Sequence, residues 1–310
     1  MNWTATITLR TLSPLWTGGA NRKGDRLQAL GVIGSLRWWY EALVRGLGGY
    51  ACDPVTKEDR CAFDSESYEK ARRAGEERNL AIARGLKDVC VACRLFGCTG
   101  WARKIRIELT GNVAAGELLR LTMRELRPVH EVEAWLLLKT VWLIATYGAM
   151  GGRTTLKPNG PAGAAQDYGL VEVVELPEVL GSVTRARAWV QLNSPPGKAN
   201  RREWPNMRYF FFASGAYLNR TAMNDLLGLS HRGRQIRHGP VEKALRGRRS
   251  TPSAPAVSKK VFSFAAPYQG GRIWGYVPDA GLLAQALRRL EALGVPRYLL
   301  HTGEEVLNAL

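Results

Sequence analysis

The cysteines are the residues whose type and spacing most directly suggest chemistry. They occur as Cys52-x8-Cys61 and, further along, as Cys90-x2-Cys93-x4-Cys98. A Cys-x2-Cys pair offers two thiolates to one tetrahedral metal ion, and a second pair from another loop would complete a structural zinc site. We therefore predict a zinc site at Cys52, Cys61, Cys90 and Cys93, with buried free thiols or a disulfide as the alternatives. Cys98, within LFGCTGW, is predicted to be a packing residue.

The other titratable residues form no recognisable catalytic set. The chain has four histidines, which are His130, His231, His238 and His301, and it contains no His-Glu-x-x-His, nucleophile elbow or Walker sequence. It also lacks the clustered acidic residues that two-metal nucleases need. A metal-independent ribonuclease could use a single histidine, so His130 and His238 stay open as candidates. The pattern favours a binding protein over an enzyme.

The charge of the chain points to a polyanionic partner. Its 310 residues include 44 Lys and Arg against 27 Asp and Glu, a formal net charge of +17. Such a balance favours nucleic acid or an acidic membrane. The chain has no apolar run of about 18 residues, and its first residues lack the layout of a signal peptide. We therefore expect a cytoplasmic protein that binds nucleic acid and not a membrane.

Three glycine-rich or basic segments could contact an RNA backbone. In GVIGSLRWW, preceded by a basic stretch, glycines at a helix start would let a phosphate approach backbone N–H groups, although they could equally serve close packing. The segment GAMGGRTTLKPNGPAG could form a phosphate cradle or simply turn the chain. The run SHRGRQIRHGPVEKALRGRRS has Glu242 as its only acid, which favours phosphate binding over a solvated charged face. The predicted RNA-binding residues are Gly19, Arg22, Lys23, Gly34, Ser35, Arg37, Gly152, Arg153, Lys157, Arg232, Arg234, Arg237, His238, Arg246, Arg248 and Arg249.

Hydrophobic periodicity predicts the same order of elements in both halves of the chain: strand, helix, strand, strand, helix, strand. The first half has predicted strands at 3–12, 103–111, 117–126 and 169–176 and helices at 32–47 and 131–147. The second has predicted strands at 207–215, 259–267, 272–278 and 297–301 and helices at 235–248 and 279–293. This order predicts an α+β protein with two tandem ferredoxin-like (RRM-like, βαββαβ) domains.

The predicted domains are residues 1–180 and 181–310. The first carries an inserted cysteine-containing subdomain at about 50–102, with a charged helix at 65–85, and residues 177–206 are expected to be a linker or a mobile basic loop. Trp38 and Trp39 are adjacent in the first helix and must point about 100° apart. We expect one of them to face the core and the other to meet a base or a partner subunit.

Four segments together resemble the RAMP superfamily of CRISPR-associated proteins, most closely the Cmr1-type subunit of type III-B (Cmr) effector complexes. They are TLSPLWTGG, GVIGSLRWWYEALVRGLGG, CRLFGCTGW and YGAMGGRTTLKPNG followed by QDYGLV, within residues 3–171. The resemblance implies two ferredoxin-like domains and a subunit that caps one end of the complex, near the 3′ part of the guide RNA. It also implies that other subunits cleave the target RNA.

The leading interpretation is therefore a non-catalytic RNA-binding subunit. Its expected partners are single-stranded guide and target RNA and other Cmr subunits. One alternative is a metal-independent endoribonuclease that processes guide RNA. Another is a scaffold whose tryptophan-rich surfaces bind protein while the positive charge serves solubility.

Overall fold

Two four-stranded sheets organise the chain. The structure is a computed structural model that describes residues 3–18, 26–152, 167–248, 251, 257–265 and 270–310. The first half contains β1 (Thr4–Thr11), α1 (Ala29–Gly46), α2 (Ser65–Arg73), α3 (Arg78–Gly85), α4 (Val91–Phe96), β2 (Ile105–Gly111), β3 (Leu118–Glu125), α5 (Glu131–Tyr147), β4 (Val171–Glu175) and α6 (Val183–Leu192). The second half contains β5 (Phe210–Ser214), α7 (Arg220–Leu226), α8 (Pro240–Arg246), β6 (Val261–Phe264), β7 (Arg272–Tyr276), α9 (Ala280–Ala292), β8 (Leu300–Thr302) and α10 (Gly303–Asn308).

Both sheets have the strand order of a ferredoxin-like domain. The first runs β2-β3-β1-β4 and the second β6-β7-β5-β8, so in each the first and third strands of the unit lie at the centre. The neighbouring strands are antiparallel throughout both sheets. The predicted fold class, two tandem ferredoxin-like domains, is therefore confirmed.

Helices α1 and α5 lie between the two sheets. Apolar residues of α1 and α5 share one core with Ile7 of β1 on one side and with Phe210 and Phe212 of β5 on the other. The opposite face of the second sheet, including Phe211 of β5, packs in a separate core with α7, α8 and α9. The strand β5 is thus covered on both faces. This explains why its sequence begins with a continuous apolar run, FFFA, and does not alternate.

The first sheet has one solvent-facing side. Residues of β1 alternate strictly, with Ala5, Ile7 and Leu9 buried and the intervening residues at least partly exposed. The outward residues are threonines and paired charges, such as the Arg10–Glu172 ion pair of 2.8 Å. Antiparallel sheets that pack on one face commonly show this pattern.

The region expected to be a linker or mobile loop contains a helix, so that prediction was wrong for residues 183–192. The side chain of Ser182 accepts a hydrogen bond from the Arg185 N–H at 3.2 Å and caps α6. Ala186 and Val190, four residues apart, are buried in the same core as the first sheet. Two buried apolar residues form too weak a periodic pattern to predict a helix when prolines lie nearby in the sequence. The predicted domain boundary at 180 stays a prediction.

Two predicted helices have different extents. The charged helix predicted at 65–85 is two helices, α2 and α3, which are separated by Gly75 with a φ of +83°. The helix predicted at 235–248 is limited to α8, and α7 precedes it. Pro240 occupies the first position of α8, where its missing N–H costs nothing, so the helix starts there and residues 235–239 are not helical. The short helices α4 and α10 were not predicted.

Candidate functional site

The four cysteines predicted to bind metal lie together. The Sγ atoms of Cys52, Cys61, Cys90 and Cys93 are all within 4.8 Å of one another, and all four residues are buried. All five cysteines of the chain are unpaired, so the disulfide alternative is not realised. In a tetrahedral zinc–thiolate site with Zn–S bonds of about 2.3 Å, sulfur atoms are roughly 3.8 Å apart. The donor set and its spacing fit such an ion.

Local structure brings the sulfur atoms to the cluster. Cys90 is the N-cap of α4, and its Sγ accepts the Cys93 N–H at 3.5 Å. The Sγ of Cys61 accepts the Cys90 N–H at 3.3 Å. The loop that follows α1 is held by the buried Arg45, which donates to the carbonyls of Ala51 at 2.9 Å and Cys52 at 2.8 Å. The cluster therefore joins the loop that follows α1 to helix α4.

Arg37, predicted to contact RNA, lies against this cluster. Its Nη2 donates to Cys93 Sγ at 3.0 Å, its Nη1 to the Gly97 carbonyl at 3.0 Å, and its Nε to Glu41 at 2.8 Å. Burial disfavours its charge, but Cys93 and Glu41 outweigh that effect and raise the pKa of Arg37 above its ordinary value. Its three nitrogens are engaged within the protein, which leaves little of the guanidinium for a phosphate.

A second site is a cleft of about 480 Å³ between the two domains. One wall is a stripe of α1, which consists of Gly31, Gly34, Ser35 and Trp38 at steps of three and four residues. The other wall comes from the second domain. The remaining lining residues are Thr17, Trp39, Ala149, Gly151, Gly152, Ser258, Lys259, Phe262, Trp274 and Tyr276. The structure thus brings the predicted residues Gly34, Ser35 and Gly152 together at one place.

The two glycines of α1 have different surroundings. A Cβ at Gly31 would lie 2.1 Å from the Thr17 carbonyl oxygen, so this glycine permits close packing of the chain before the helix. A Cβ at Gly34 would meet no atom of the described residues within 4 Å, and this residue borders the open cleft. The packing alternative therefore accounts for Gly31 but not for Gly34.

Gly34 stays a predicted RNA-binding residue, but its backbone N–H is not free for a phosphate. Helix α1 begins at Ala29, three residues before the predicted start, so Gly34 is its sixth residue. An N–H at that depth is bonded to the carbonyl four residues earlier. Because Gly34 has no side chain, it leaves space in the cleft that it lines.

The two adjacent tryptophans both pack on the second domain. Trp39 is buried, and its ring centroid lies 5.0 Å from that of Trp274. Trp38 is partly exposed at the cleft, with its ring centroid 5.7 Å from that of Tyr276. Only one of the two tryptophans was expected to enter the core, and that residue is Trp39.

The basic run divides into engaged and exposed residues. Arg237 is ion-paired with Asp225 at 2.6 Å, and Arg246 donates to the carbonyls of Leu227 and Arg237, both at 3.2 Å. Arg232 and Arg234 are exposed. An isolated bridge pairs Arg248 with Val257, next to Ser258 of the cleft. The predicted residues Gly19, Arg22, Lys23, Arg153, Lys157 and Arg249 lie outside the described residues.

His238 and two arginines of α9 belong to a separate surface pocket. The pocket measures about 490 Å³ and is also lined by Arg237 and the buried Glu242, which is ion-paired with Arg289. The other predicted histidine candidate, His130, is the N-cap of α5. Its Nδ1 accepts the Val132 N–H at 3.1 Å, and its ring stacks on Trp189. Its position is explained by a structural role.

The aromatic wall of the cleft was not predicted from the sequence. It consists of Phe262, Trp274 and Tyr276, which come from β6 and β7 of the second domain. Trp274 and Tyr276 are two residues apart in RIWGY, so both side chains lie on one face of β7. This spacing could have indicated an aromatic face from the sequence alone. Nothing local indicates that α1 would cover that face.

Among the described residues, no helix combines the length and the apolar character needed to cross a membrane.

The chain is similar in fold to the crystal structure of Cmr1 from Pyrococcus furiosus (apo form), with 11% identity over 90% of this chain and 89% of that one and a TM-score of 0.45. It is also similar to a chain of the Type III-B Cmr-beta complex bound to cognate target RNA, with 9% identity over 94% and 100% of the two chains and a TM-score of 0.47. It is likewise similar to a chain of the Type III-B Cmr-beta complex bound to cognate target RNA and AMPPnP in the presence of ssDNA, with 10% identity over 94% of this chain and 99% of that one and a TM-score of 0.49.

No curated protein sequence is significantly similar to the chain. The family model of the RAMP superfamily matches residues 8–225, which is more than two thirds of the 310 residues. This range includes most of the first sheet, the cysteine cluster and the α1 wall of the cleft. The chain therefore belongs to the RAMP superfamily.

Proposed function

We propose that the chain is an RNA-binding subunit of a type III-B CRISPR ribonucleoprotein and does not itself cleave RNA. Membership of the RAMP superfamily supports a role in such a complex, and the resemblance of its motifs to Cmr1-type subunits supports the type III-B assignment. The net charge of +17 favours RNA as the partner. Single-stranded guide and target RNA and the other Cmr subunits are the proposed partners.

The observation that carries the proposal is the meeting of the predicted segments at the cleft. The α1 stripe and the Gly151–Gly152 loop line it, and the Arg248–Val257 bridge brings the end of the basic run to its rim. Arg232 and Arg234 are exposed in the same run. A bound strand could follow this basic surface to the cleft, with the arginines at its phosphates.

RNA binding as a function of salt tests the proposal. The chain should bind single-stranded RNA more tightly than duplex RNA of equal length, and its affinity should fall steeply with salt. Replacing Arg232 and Arg234 by Ala should reduce the slope of log K against log salt by about 1.4, at roughly 0.7 per phosphate contact. The control replaces the exposed Arg78 and Arg120, which lie in the inserted subdomain and the first sheet, and removes the same charge.

The result separates the proposal from the scaffold alternative. If the control pair lowers RNA affinity as much as the Arg232 and Arg234 pair does, the affinity depends on the net charge of the chain. In that case the RNA does not bind specifically along the basic run. Weak binding that disappears at moderate salt and does not distinguish single strands from duplexes would favour a scaffold.

The non-catalytic part of the proposal is supported by the positions of the histidines. His130 caps α5, and the pocket beside His238 holds a carboxylate that is paired with an arginine, not with the histidine. Incubation of the purified chain with guide-RNA precursors should leave the RNA intact. Cleavage that persists in wild type and is lost in His238→Ala would show the chain to be a nuclease.

The proposal includes a structural zinc ion at Cys52, Cys61, Cys90 and Cys93. The four sulfur donors in mutual reach and the N–H groups directed at Cys61 and Cys90 support it. Zinc in such a site links chain segments and does no chemistry. The four residues would hold the loop that follows α1 against helix α4.

A further inference from the structure

The composition of the cleft differs from that of a phosphate site. Lys259 is the only charged residue among the described residues that line it. Five aromatic rings line it as well: Trp38, Trp39, Phe262, Trp274 and Tyr276. Phosphates are bound by guanidinium, ammonium or backbone N–H groups, whereas aromatic rings bind the faces of bases. The described lining therefore suits a flat, neutral ring.

Two of the five aromatic residues are partly exposed, whereas the other three are buried. Trp38 and Tyr276 are partly exposed, their centroids are 5.7 Å apart and their planes are inclined at 60°. A planar ligand that stacks on one of them would meet the other at an angle, in an edge-to-face contact. The cleft of about 480 Å³ falls within the roughly 300–1,000 Å³ of small-molecule sites.

Trp274 supplies an unsatisfied donor. It lines the cleft and is 4% exposed, and its indole Nε1 has no hydrogen-bond partner among the described residues. A buried N–H without an acceptor is costly, and the great majority of such groups are paired. The edges of all four RNA bases carry carbonyl or ring-nitrogen acceptors that could serve this donor.

The open space before Gly34 is the third observation. No atom of the described part of the chain lies within 4 Å of its Cβ position, on the stripe of α1 that faces the aromatic wall. A glycine inside a helix costs about 1 kcal/mol relative to alanine, and no packing contact with the described residues requires one here. A ligand that needs this space would account for it.

We propose that the cleft takes one unstacked base of a bound single-stranded RNA, which lies against Trp38 and Tyr276 and occupies the space in front of Gly34. The inference rests on the proposed RNA-binding function and deepens it. A base within a duplex is stacked and paired and cannot enter such a cleft without being extruded. The site would therefore make the chain select single strands.

The experiment uses the full chain and single-stranded RNAs of one length that carry 2-aminopurine at successive positions. Fluorescence should change on binding at one position or a few adjacent ones. An RNA with abasic residues at those positions should bind roughly tenfold more weakly, the size expected for the loss of one base–aromatic contact.

The matched variants are Gly34→Leu and Gly281→Leu. Gly281 is an exposed glycine of α9, where, of the described atoms, a Cβ would meet only Asp279 Oδ1 at 3.3 Å. Gly34→Leu should weaken binding of the intact RNA roughly tenfold and abolish the fluorescence change, because the leucine fills the cleft. It should bind the abasic RNA no more weakly than wild type does. Gly281→Leu should behave as wild type in all three measurements, and thermal unfolding of both variants verifies that they fold.

The outcomes distinguish base insertion into the cleft from the RNA-binding function on which it rests. If RNA binds tightly but no 2-aminopurine position responds and abasic residues cost nothing at any position, base insertion is wrong and RNA binding stands. The abasic series needs no variant, so this test of base insertion does not depend on the folding of Gly34→Leu. If no single-stranded RNA binds, both proposals are wrong.

Discussion

Arg37 lies against Cys93, with 3.0 Å between its Nη2 and the cysteine Sγ. On the same helix, Glu41 lies between Arg37 at 2.8 Å and Arg45 at 3.9 Å. Four thiolates around a divalent zinc ion carry a net charge of −2, which is costly inside a protein core. The two arginines place positive charge beside the cluster and would offset part of that cost. The arrangement connects the first helix of the domain to the cysteine cluster.

The purified chain should contain one zinc ion per molecule. Cys90→Ser with Cys93→Ser should lose the ion and several kcal/mol of unfolding free energy, because two of the four ligands are removed. Elemental analysis and denaturant unfolding measure the two effects. Cys98→Ser is the control, since Cys98 lies outside the set of four, and it should keep its zinc. A wild-type protein without metal would end the zinc proposal.

Arg37→Met should weaken zinc binding and leave RNA binding nearly unchanged. Loss of the charge and hydrogen bond at Cys93 should lower zinc affinity by about 10- to 100-fold, as is usual for groups that support metal ligands. Competition with a chelator measures this affinity. The variant leaves the buried Glu41 with only the longer contact to Arg45 at 3.9 Å, so Arg37→Met with Glu41→Gln is the control for a weakly paired carboxylate. A large loss of RNA affinity in zinc-loaded Arg37→Met protein would return Arg37 to the RNA-binding surface.

Alanine at the two glycines of α1 should have opposite effects on stability. Gly31→Ala should destabilise by about 1–3 kcal/mol, because its Cβ would meet the Thr17 carbonyl oxygen at 2.1 Å. Gly34→Ala should stabilise by roughly 0.5–1 kcal/mol, because its Cβ would meet none of the residues that the structure describes and alanine favours the helix. Denaturant unfolding of both variants tests the pair. Equal effects would mean that the chain before α1 does not approach the helix as described.

His130→Ala should reduce stability and leave RNA binding unchanged. The variant removes the cap of α5 and the stacking on Trp189, whose centroid is 5.1 Å away, a loss of about 1 kcal/mol. His130→Asn should recover most of this loss, because asparagine also caps helices well. Thermal unfolding and an RNA-binding titration check both statements. Loss of an RNA-cleaving activity in both variants would instead assign His130 a catalytic role.

Features that depend on residues close in sequence could be predicted. Helix α5 runs from Glu131 to Tyr147 as predicted, because it begins with a capping box formed by His130 and Glu133 and ends before Gly148. The alternation of β1 and the Cys90-x2-Cys93 pair are equally local. The order of strands and helices in each half, taken with the usual ferredoxin-like topology, was enough to predict both sheets.

The neighbours of α1 were decided by the tertiary structure. The sequence of α1 determined that Arg37 and Trp38 point in different directions, since adjacent helical residues diverge by about 100°. It did not determine that Arg37 would meet Cys93 or that Trp38 would meet Tyr276, 238 residues further along the chain. Those contacts arise because α1 is packed between two sheets and the inserted subdomain. Such packing depends on complementary surfaces that are distant in sequence, whereas periodicity reports only how a segment faces its own core.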